Sequence, residues 1–470
     1  MLLQLVHWLQ RILDASTIIY GVTGFVGLLG LIATAILQIG TISTTRRKLS
    51  HLRKMGVTTS NMTDQYDPKF DAPEGTDVDG PVRIKAIYIH PIKSCGAIEL
   101  NRGLLTKAGF MYDRCFAFAT DTLNTGTVAG LGWQQITQRT KPAMSQMKTE
   151  LWLPHKKSDP RDPLVESGGC IVLTFADPDP SSWMDRLETL LHTWDLSAKP
   201  HLSFIIPLQP SPTQIDKFQI GLKTFRIHSR DARGLDMGII PSVAVAMPKV
   251  KKFLGIPPRQ NLTLLRCMPD TLTRTSLNLA PLERIGSPSV HGYTDQQPIN
   301  INSLSSVHAV SALLPPENQP LNGLRFRANI WITGAPAYEE ETWMRYRILP
   351  KGNNNPQPRA DVAPTLSVVC RTSRCTMPNV NVDTGIFDTD IPPPHKKKGK
   401  PQPSATLVEF RTVEMGNGAA LGYLGMHCVP EDASLKEAEA QKMGLYVEVG
   451  DEIEVLERGV HSYGSTANEY

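Results

Sequence analysis

A mixed α+β, strand-dominated fold set behind one membrane-crossing helix is the architecture that the sequence predicts. Three observations carry that reading. No charged residue occurs from Ala15 to Thr45, and the run "TIIYGVTGFVGLLGLIATAILQIG" (residues 17–40) is long enough to cross a bilayer core as a helix. After residue 80, short runs rich in β-branched and aromatic residues recur between turn-forming residues. Only three later segments show helical periodicity.

In chain order, residues 1–16 form an N-terminal segment with a single cation, Arg11. Residues 17–40 read as a retained anchor, because a cleaved signal has a shorter apolar region and a small-residue cleavage site. Arg46, Arg47, Lys48, Arg53 and Lys54 follow it directly, so the excess of positive charge places the C-terminal bulk in the cytosol. A buried core helix is the alternative, disfavoured by the length and flanks. Residues 41–80 read as a basic flank and linker, with 56–80 polar and rich in Gly, Pro and Asp, like a tether.

Residues 81–240 contain the runs "VRIKAIYIHPI", "RCFAFAT", "WQQITQ", "MKTELWL" and "CIVLTF", which predict an antiparallel sheet or barrel. "SSWMDRLETLLHTW" (Ser181–Trp194) reads as an amphipathic helix, with Trp183, Leu187, Leu190, Leu191 and Trp194 near one face and Ser181 as its cap. Residues 241–460 form a second region. It opens with helical segments at Val243–Ile256, with Pro248 interrupting or beginning the helix, and at Ser303–Leu314. Strands then resume with "NIWITG", "LSVVC", "ATLVEFRTV" and "GLYVEVGDEIEVLER". Residues 155–165, 268–290, 350–364 and 386–404 read as insertions, the last a basic, proline-rich stretch expected to be disordered. Residues 461–470 are a tail.

Composition narrows the function. Lys and Arg number 49 against 45 Asp and Glu, a net charge of +4 that is too weak to make nucleic acid the partner. Seven scattered cysteines fit a reducing compartment. The phosphate-loop, Rossmann glycine, HExxH, Cys-x-x-Cys and G-x-S-x-G patterns are all absent. Cys370 and Cys375, five residues apart with arginines between them, leave metal ligand, disulfide, reactive thiol and packed thiol all open on spacing alone.

Four distant segments read together: "IHPIKSCGAIEL" (Ile89–Leu100), "AGFMYDRCFAF" (Ala108–Phe118) with "WQQITQRTKPAM" behind it, "LRFRANIWITGAPAYEEETW" (Leu324–Trp343), and the stretch around Ser373-Arg374-Cys375. In these motifs and their order, from about Val82 to Leu456, the chain resembles MOSC-domain proteins of the mitochondrial amidoxime-reducing-component type. The resemblance implies a MOSC-associated β-barrel-like region over 81–240 and a MOSC β-barrel domain over 241–460. It implies a molybdenum cofactor, an anionic pterin dithiolene with a phosphate tail. Cys375 then becomes the metal ligand and catalytic centre, and Lys93, Ser94, Arg114, Arg327, Asn329 and Ser373 become cofactor contacts. Arg139, Arg325, Asp295 and Gln296 are weaker candidates, and Glu339–Glu341 read as scaffold. Guanidinium and ammonium groups suit phosphate, and a thiolate is the soft donor that molybdenum takes.

The activity so implied is two-electron reduction of N-hydroxylated substrates, amidoximes and hydroxylamines, with electrons from cytochrome b5 and its NADH-dependent reductase. The implied site of action is the outer mitochondrial membrane. The alternative is a molybdenum cofactor carrier or sulfur-transfer protein, and a third is a non-enzymatic membrane scaffold.

Overall fold

The computed structural model describes residues 15–122, 132–228, 230–275, 281–351, 361–392, 394–414 and 421–461, with Gln4 and Trp8. Most of the predicted strand runs fall in two closed sheets, and "MKTELWL" and "CIVLTF" in a third, open one. The larger has eight strands, in the order Ile330–Thr333, Ile299–Ser303, Gly422–Pro430, Thr365–Arg374, Trp343–Leu349, Glu452–Arg458, Val82–Ile89 and Ile98–Leu100. Ile330–Thr333 also pairs antiparallel with Val82–Ile89, which closes seven of the strands into a ring. Ring closure removes the exposed sheet edges that would otherwise seek partners. A five-stranded barrel is built from Leu222–Ile227, Arg230–Asp236, Leu262–Arg266, Phe116–Asp121 and Trp133–Gln135. A four-stranded sheet of Leu52–Lys54, Lys148–Pro154, Cys170–Ala176 and His201–Pro207 lies outside both.

A cut near residue 240 does not follow these sheets. Leu262–Arg266 is needed to bridge Arg230–Asp236 and Phe116–Asp121, and Val82–Leu100 belongs to the eight-stranded sheet. One apolar cluster joins the two: Ile87 and Ile330 pack in the same core as Phe116, Phe118 and Leu264. The barrels therefore share a rigid seam.

The linker reading of 41–80 is overturned. Thr41–Lys48 is a helix, Leu52–Lys54 pairs with Lys148–Pro154, and Met62 is 1 % exposed among Tyr88, Leu304 and Trp331. Glu99 ties the segment down, accepting from Ser60 Oγ at 2.5 Å, Asn61 N at 2.8 Å and Tyr88 Oη at 2.6 Å. A single methionine in a polar stretch carries no periodicity, so the pattern had nothing to show. Met62→Ala is expected to cost about 2–5 kcal/mol, the range for emptying a buried site, read as a lowered melting midpoint. A free tether would leave the midpoint unchanged.

Two further expectations are corrected. "ATLVEFRTV" is a helix, Ser404–Phe410, because Leu407 packs flat on Gly422 and Thr406 turns back to Gln402 Oε1 at 2.9 Å. The 386–404 stretch is pinned rather than loose: Asp388 takes an ion pair from Arg325 at 2.5 Å, Asp388 O accepts from Gln402 N at 3.0 Å, and Ile391 N donates to Glu317 at 2.6 Å. Its basic tip, His395–Lys398, is exposed. Parts of the 268–290 and 350–364 insertions, the 461–470 tail beyond His461, and most of residues 1–16 lie outside the described residues.

The N-terminal apolar helix spans Ala15–Ile39, and Ile18–Ala35 within it is long and apolar enough to cross a membrane, with none of that window buried in the protein. The amphipathic helix runs Trp183–Thr193 and is capped by Ser182, not Ser181, through a reciprocal Ser182–Asp185 box. Pro248 begins its helix, Met247–Phe253, where a missing N–H costs nothing.

Candidate functional site

The seam between the two barrels opens into a cleft, and all seven residues singled out in the sequence line it: Lys93, Ser94, Arg114, Arg327, Asn329, Ser373 and Cys375. The weaker candidates Arg139, Arg325, Asp295 and Gln296 line it too. Lys93 and Ser94 sit in the loop after Val82–Ile89, held by Lys93 N to Phe116 O at 2.8 Å. Arg114 is presented just before Phe116–Asp121, its N–H bonded to His90 O at 2.9 Å. Arg327 ends the short helix Gly323–Phe326, and Cys375 follows directly on the strand Thr365–Arg374.

Three of these residues have left-handed backbone: Ser94 (φ 68°), Arg114 (φ 47°) and Arg327 (φ 53°). Each is a non-glycine in a region that costs of order 1 kcal/mol or more, and such strain gathers where a side chain must be aimed.

Six cations line the cleft, with Asp295 the one carboxylate among its lining residues. Lys93 pairs with Asp295 and donates to Tyr293 O at 2.7 Å. Burial pulls its ammonium down to about 8, against the opposing pull of Asp295. Arg114 pairs with Asp113 at 2.5 Å and donates to Arg327 O at 2.9 Å. Arg374 donates to Phe326 O at 2.9 Å, Leu424 O at 2.8 Å and Asn300 Oδ1 at 3.1 Å. Burial lowers its guanidinium to about 9, opposed by the Cys375 sulfur. Arg327 differs from all of these. Its guanidinium is likewise lowered to about 9, by burial and then by Arg114, and its Nη2 is buried without a hydrogen-bond partner. Ser94 Oγ is buried and unpartnered as well.

Some residues are placed differently from the sequence reading. Arg371, read as flanking the thiol, turns away to Glu341 at 2.8 Å, where Arg411 also pairs. Asn329 is committed to the frame: Oδ1 accepts from Asn300 N at 3.1 Å and Nδ2 donates to Tyr88 O at 3.1 Å. Cys370 is sealed among Ile285, Val369 and Val429, its thiol pushed well up by burial, and neither cysteine is in a disulfide. Cys375 is half-buried, with Met377 N–H at 3.4 Å from its sulfur.

Sequence reasoning missed His228, His427 and Asn300. His228 caps the turn between Leu222–Ile227 and Arg230–Asp236 and lies 3.0 Å from both Asp295 Oδ1 and an Arg139 nitrogen. Only the fold brings these partners together; no local pattern marks them.

The cleft suits a large anionic group that carries its own metal. Unmet polar atoms on Ser94 and Arg327, beside an excess of cations, ask for oxygen acceptors. Among the described residues no group of three or more His, Cys, Asp or Glu side chains is set to hold a bare ion.

Comparison with known proteins shows the family. Residues 81–162 match the MOSC N-terminal beta barrel domain and residues 288–454 match the MOSC domain, together just over half of the chain. Mitochondrial amidoxime-reducing component 1 of Mus musculus is 22% identical over 341 residues, 73% of this chain and 75% of that protein. Molybdenum cofactor sulfurase of Oryza sativa subsp. japonica is 22% identical over 339 residues, 70% of this chain and 31% of that protein. This chain thus spans less than a third of the rice protein.

Proposed function

This chain is a MOSC-domain protein with the N-terminal barrel domain of that family ahead of it, and from that premise we propose that it is a molybdenum cofactor-dependent oxidoreductase reducing N-hydroxylated substrates. The observation that carries the reading is the pairing of Arg327, whose Nη2 is buried and unmatched, with a half-buried thiol in one cationic cleft. When bound, the cofactor supplies a two-electron redox couple and a coordination position open to the substrate. Cys375 would be its protein ligand. Lys93, Arg114 and Arg327 would take the anionic phosphate and pterin edge, with Ser94 and Ser373 donating hydroxyls. Asn329 acts by fixing Asn300 and Tyr88 rather than by contact.

The overall conversion takes an N–OH group, two electrons and two protons to N–H and water. His228, hydrogen-bonded to Asp295 in the cleft, is a group able to pass protons there. Electrons would come from cytochrome b5 and its NADH-dependent reductase. The apolar helix would anchor the chain in the outer mitochondrial membrane with the catalytic bulk in the cytosol, which holds donor and acceptor on one surface and raises their effective concentration. The rice sulfurase match supports a second reading, a cofactor carrier or sulfur-transfer protein. Coverage of three quarters of the mouse protein, against under a third of the rice one, favours the reductase.

The test is elemental analysis of the full chain made in a cofactor-competent host, with benzamidoxime reduction assayed from a chemical electron donor. Near-stoichiometric molybdenum with turnover is expected. Metal without turnover would move the assignment to the carrier, and absence of metal would sink both.

Charge in the cleft is also testable without the cofactor. Lys93 loses its proton through about 8, so binding of inorganic phosphate to the cofactor-free chain, followed by calorimetry, is expected to weaken as pH rises across that value. Folding stability moves the other way. Between about 8 and the ordinary lysine value of 10.5 the unfolded chain holds the lysine proton and the folded chain does not, so stability rises with pH in that window.

A further inference from the structure

We propose that the helix Trp183–Thr193, with Trp194 and Leu196 after it, lies on the bilayer surface as an interfacial element beside the membrane-crossing helix. Its largest apolar side chains are left on the outside. Trp183 and Trp194, eleven residues apart, fall on one face after about three turns, yet they are 69% and 86% exposed. Met184 and Leu196 are exposed with them, at 53% and 89%. The residues turned inward are Glu188 and Thr189. Leu187, Leu190 and Leu191 are half-buried while Asp185 and Arg186 are exposed, so the outward surface sets two tryptophans and a methionine among charged groups, a mixture that suits a bilayer interface better than water alone.

What covers it is indicated by position. Ile42, in the helix Thr41–Lys48 that follows the apolar span after a break at Gly40, donates its N–H to Glu188 Oε1 at 3.0 Å. Ile42 lies seven residues beyond Ala35, where the membrane-length window ends, which is about 10 Å along a helix. The outward face of Trp183–Thr193 is therefore held near the level at which the span leaves the hydrocarbon. Leu49 and Leu52, buried with Cys170, Val172 and Ile205, fix the connection to the four-stranded sheet. Tryptophan is the residue that favours this zone, its ring being apolar with one polar N–H. Arg46, Arg47 and Lys48 are exposed in the last turn of the connecting helix, placed to meet anionic headgroups. The carboxylate of Asp195, between Trp194 and Leu196, is turned back to Ser197 N and Oγ at 2.8 and 2.7 Å.

This inference rests on the anchor reading above, and the two are separable by experiment. The full chain is reconstituted in vesicles of phosphatidylcholine and phosphatidylserine carrying bromine either near the headgroups or near the chain ends. Alkaline carbonate extraction of the same vesicles reports separately whether the span is inserted. Emission is compared between the parent and a Trp183→Ser/Trp194→Ser variant, both residues being exposed and outside the core. The expected result is that the parent shows a component, absent from the variant, that is blue-shifted and quenched more by the shallow bromines. If that difference spectrum is water-like and unquenched, the proposal is overturned, whether a second copy covers the face or nothing does. Extraction of the chain by carbonate would sink the anchor alone, since shallow quenching would still place this helix on the lipid.

Discussion

Replacing Cys375 by serine is expected to lower molybdenum retained per chain, and N-hydroxyl reductase turnover with it, by about two orders of magnitude, because a soft metal loses its one protein donor. The expectation is sharp because the change touches so little else. The sulfur accepts from Met377 N–H at 3.4 Å, as a hydroxyl also can, and otherwise faces the Arg374 guanidinium at the half-buried cleft wall, so folding stability should change by no more than about 0.5 kcal/mol. None of the other six thiols lines the cleft, and burial pushes every one of them up, Cys95, Cys115, Cys170 and Cys428 to about 12. They have neither the position nor the ionisation to substitute. Metal content measured beside turnover separates the possibilities: full metal with full activity in the serine variant would remove Cys375 from the centre and take the proposed mechanism with it.

How much of this was legible in the sequence differs between the frame and the site. Strand runs such as "VRIKAIYI" and "CIVLTF" show their state locally, the first by alternation at its start and the second as a continuous apolar, β-branched segment that fits a doubly covered strand. Their order around the rings does not show, because closure depends on partners hundreds of residues apart, as when Val82 meets Ile453. The motif residues converge on the cleft, but their individual states could not be read ahead. Arg371 and Arg374 look equivalent as neighbours of Cys375, yet the strand's faces send one to Glu341 and the other into the cleft. Asn329 looks like a ligand contact and is a clamp on two backbone groups. His228 carries no signal of its own. It matters because the turn it caps is folded over Asp295 and Arg139, from segments well apart in the chain.

Arg327 is where function and stability should oppose each other. Its side chain is half-buried in the cleft, its Nη2 is buried and unpartnered, and it sits close to Arg114, with no carboxylate bonded to it among the described residues. A buried cation without a matched partner is destabilising, and an apolar residue of similar length removes that cost. Arg327→Met is therefore expected to raise the stability of the cofactor-free chain by about 1–3 kcal/mol, read as a melting midpoint higher by a few degrees. The same variant should lose cofactor at least about tenfold more readily, since a charge-assisted hydrogen bond in a buried site contributes about 1.5–3 kcal/mol. Arg327→Lys separates charge from shape: it keeps the buried cation, so stability does not rise, and lacks the planar fork, so retention still falls. The backbone is not the cause of either effect, because Arg114 bonds to the Arg327 carbonyl, which every variant retains. A structural role would give the opposite pattern, with Arg327→Met melting lower and holding cofactor as the parent does.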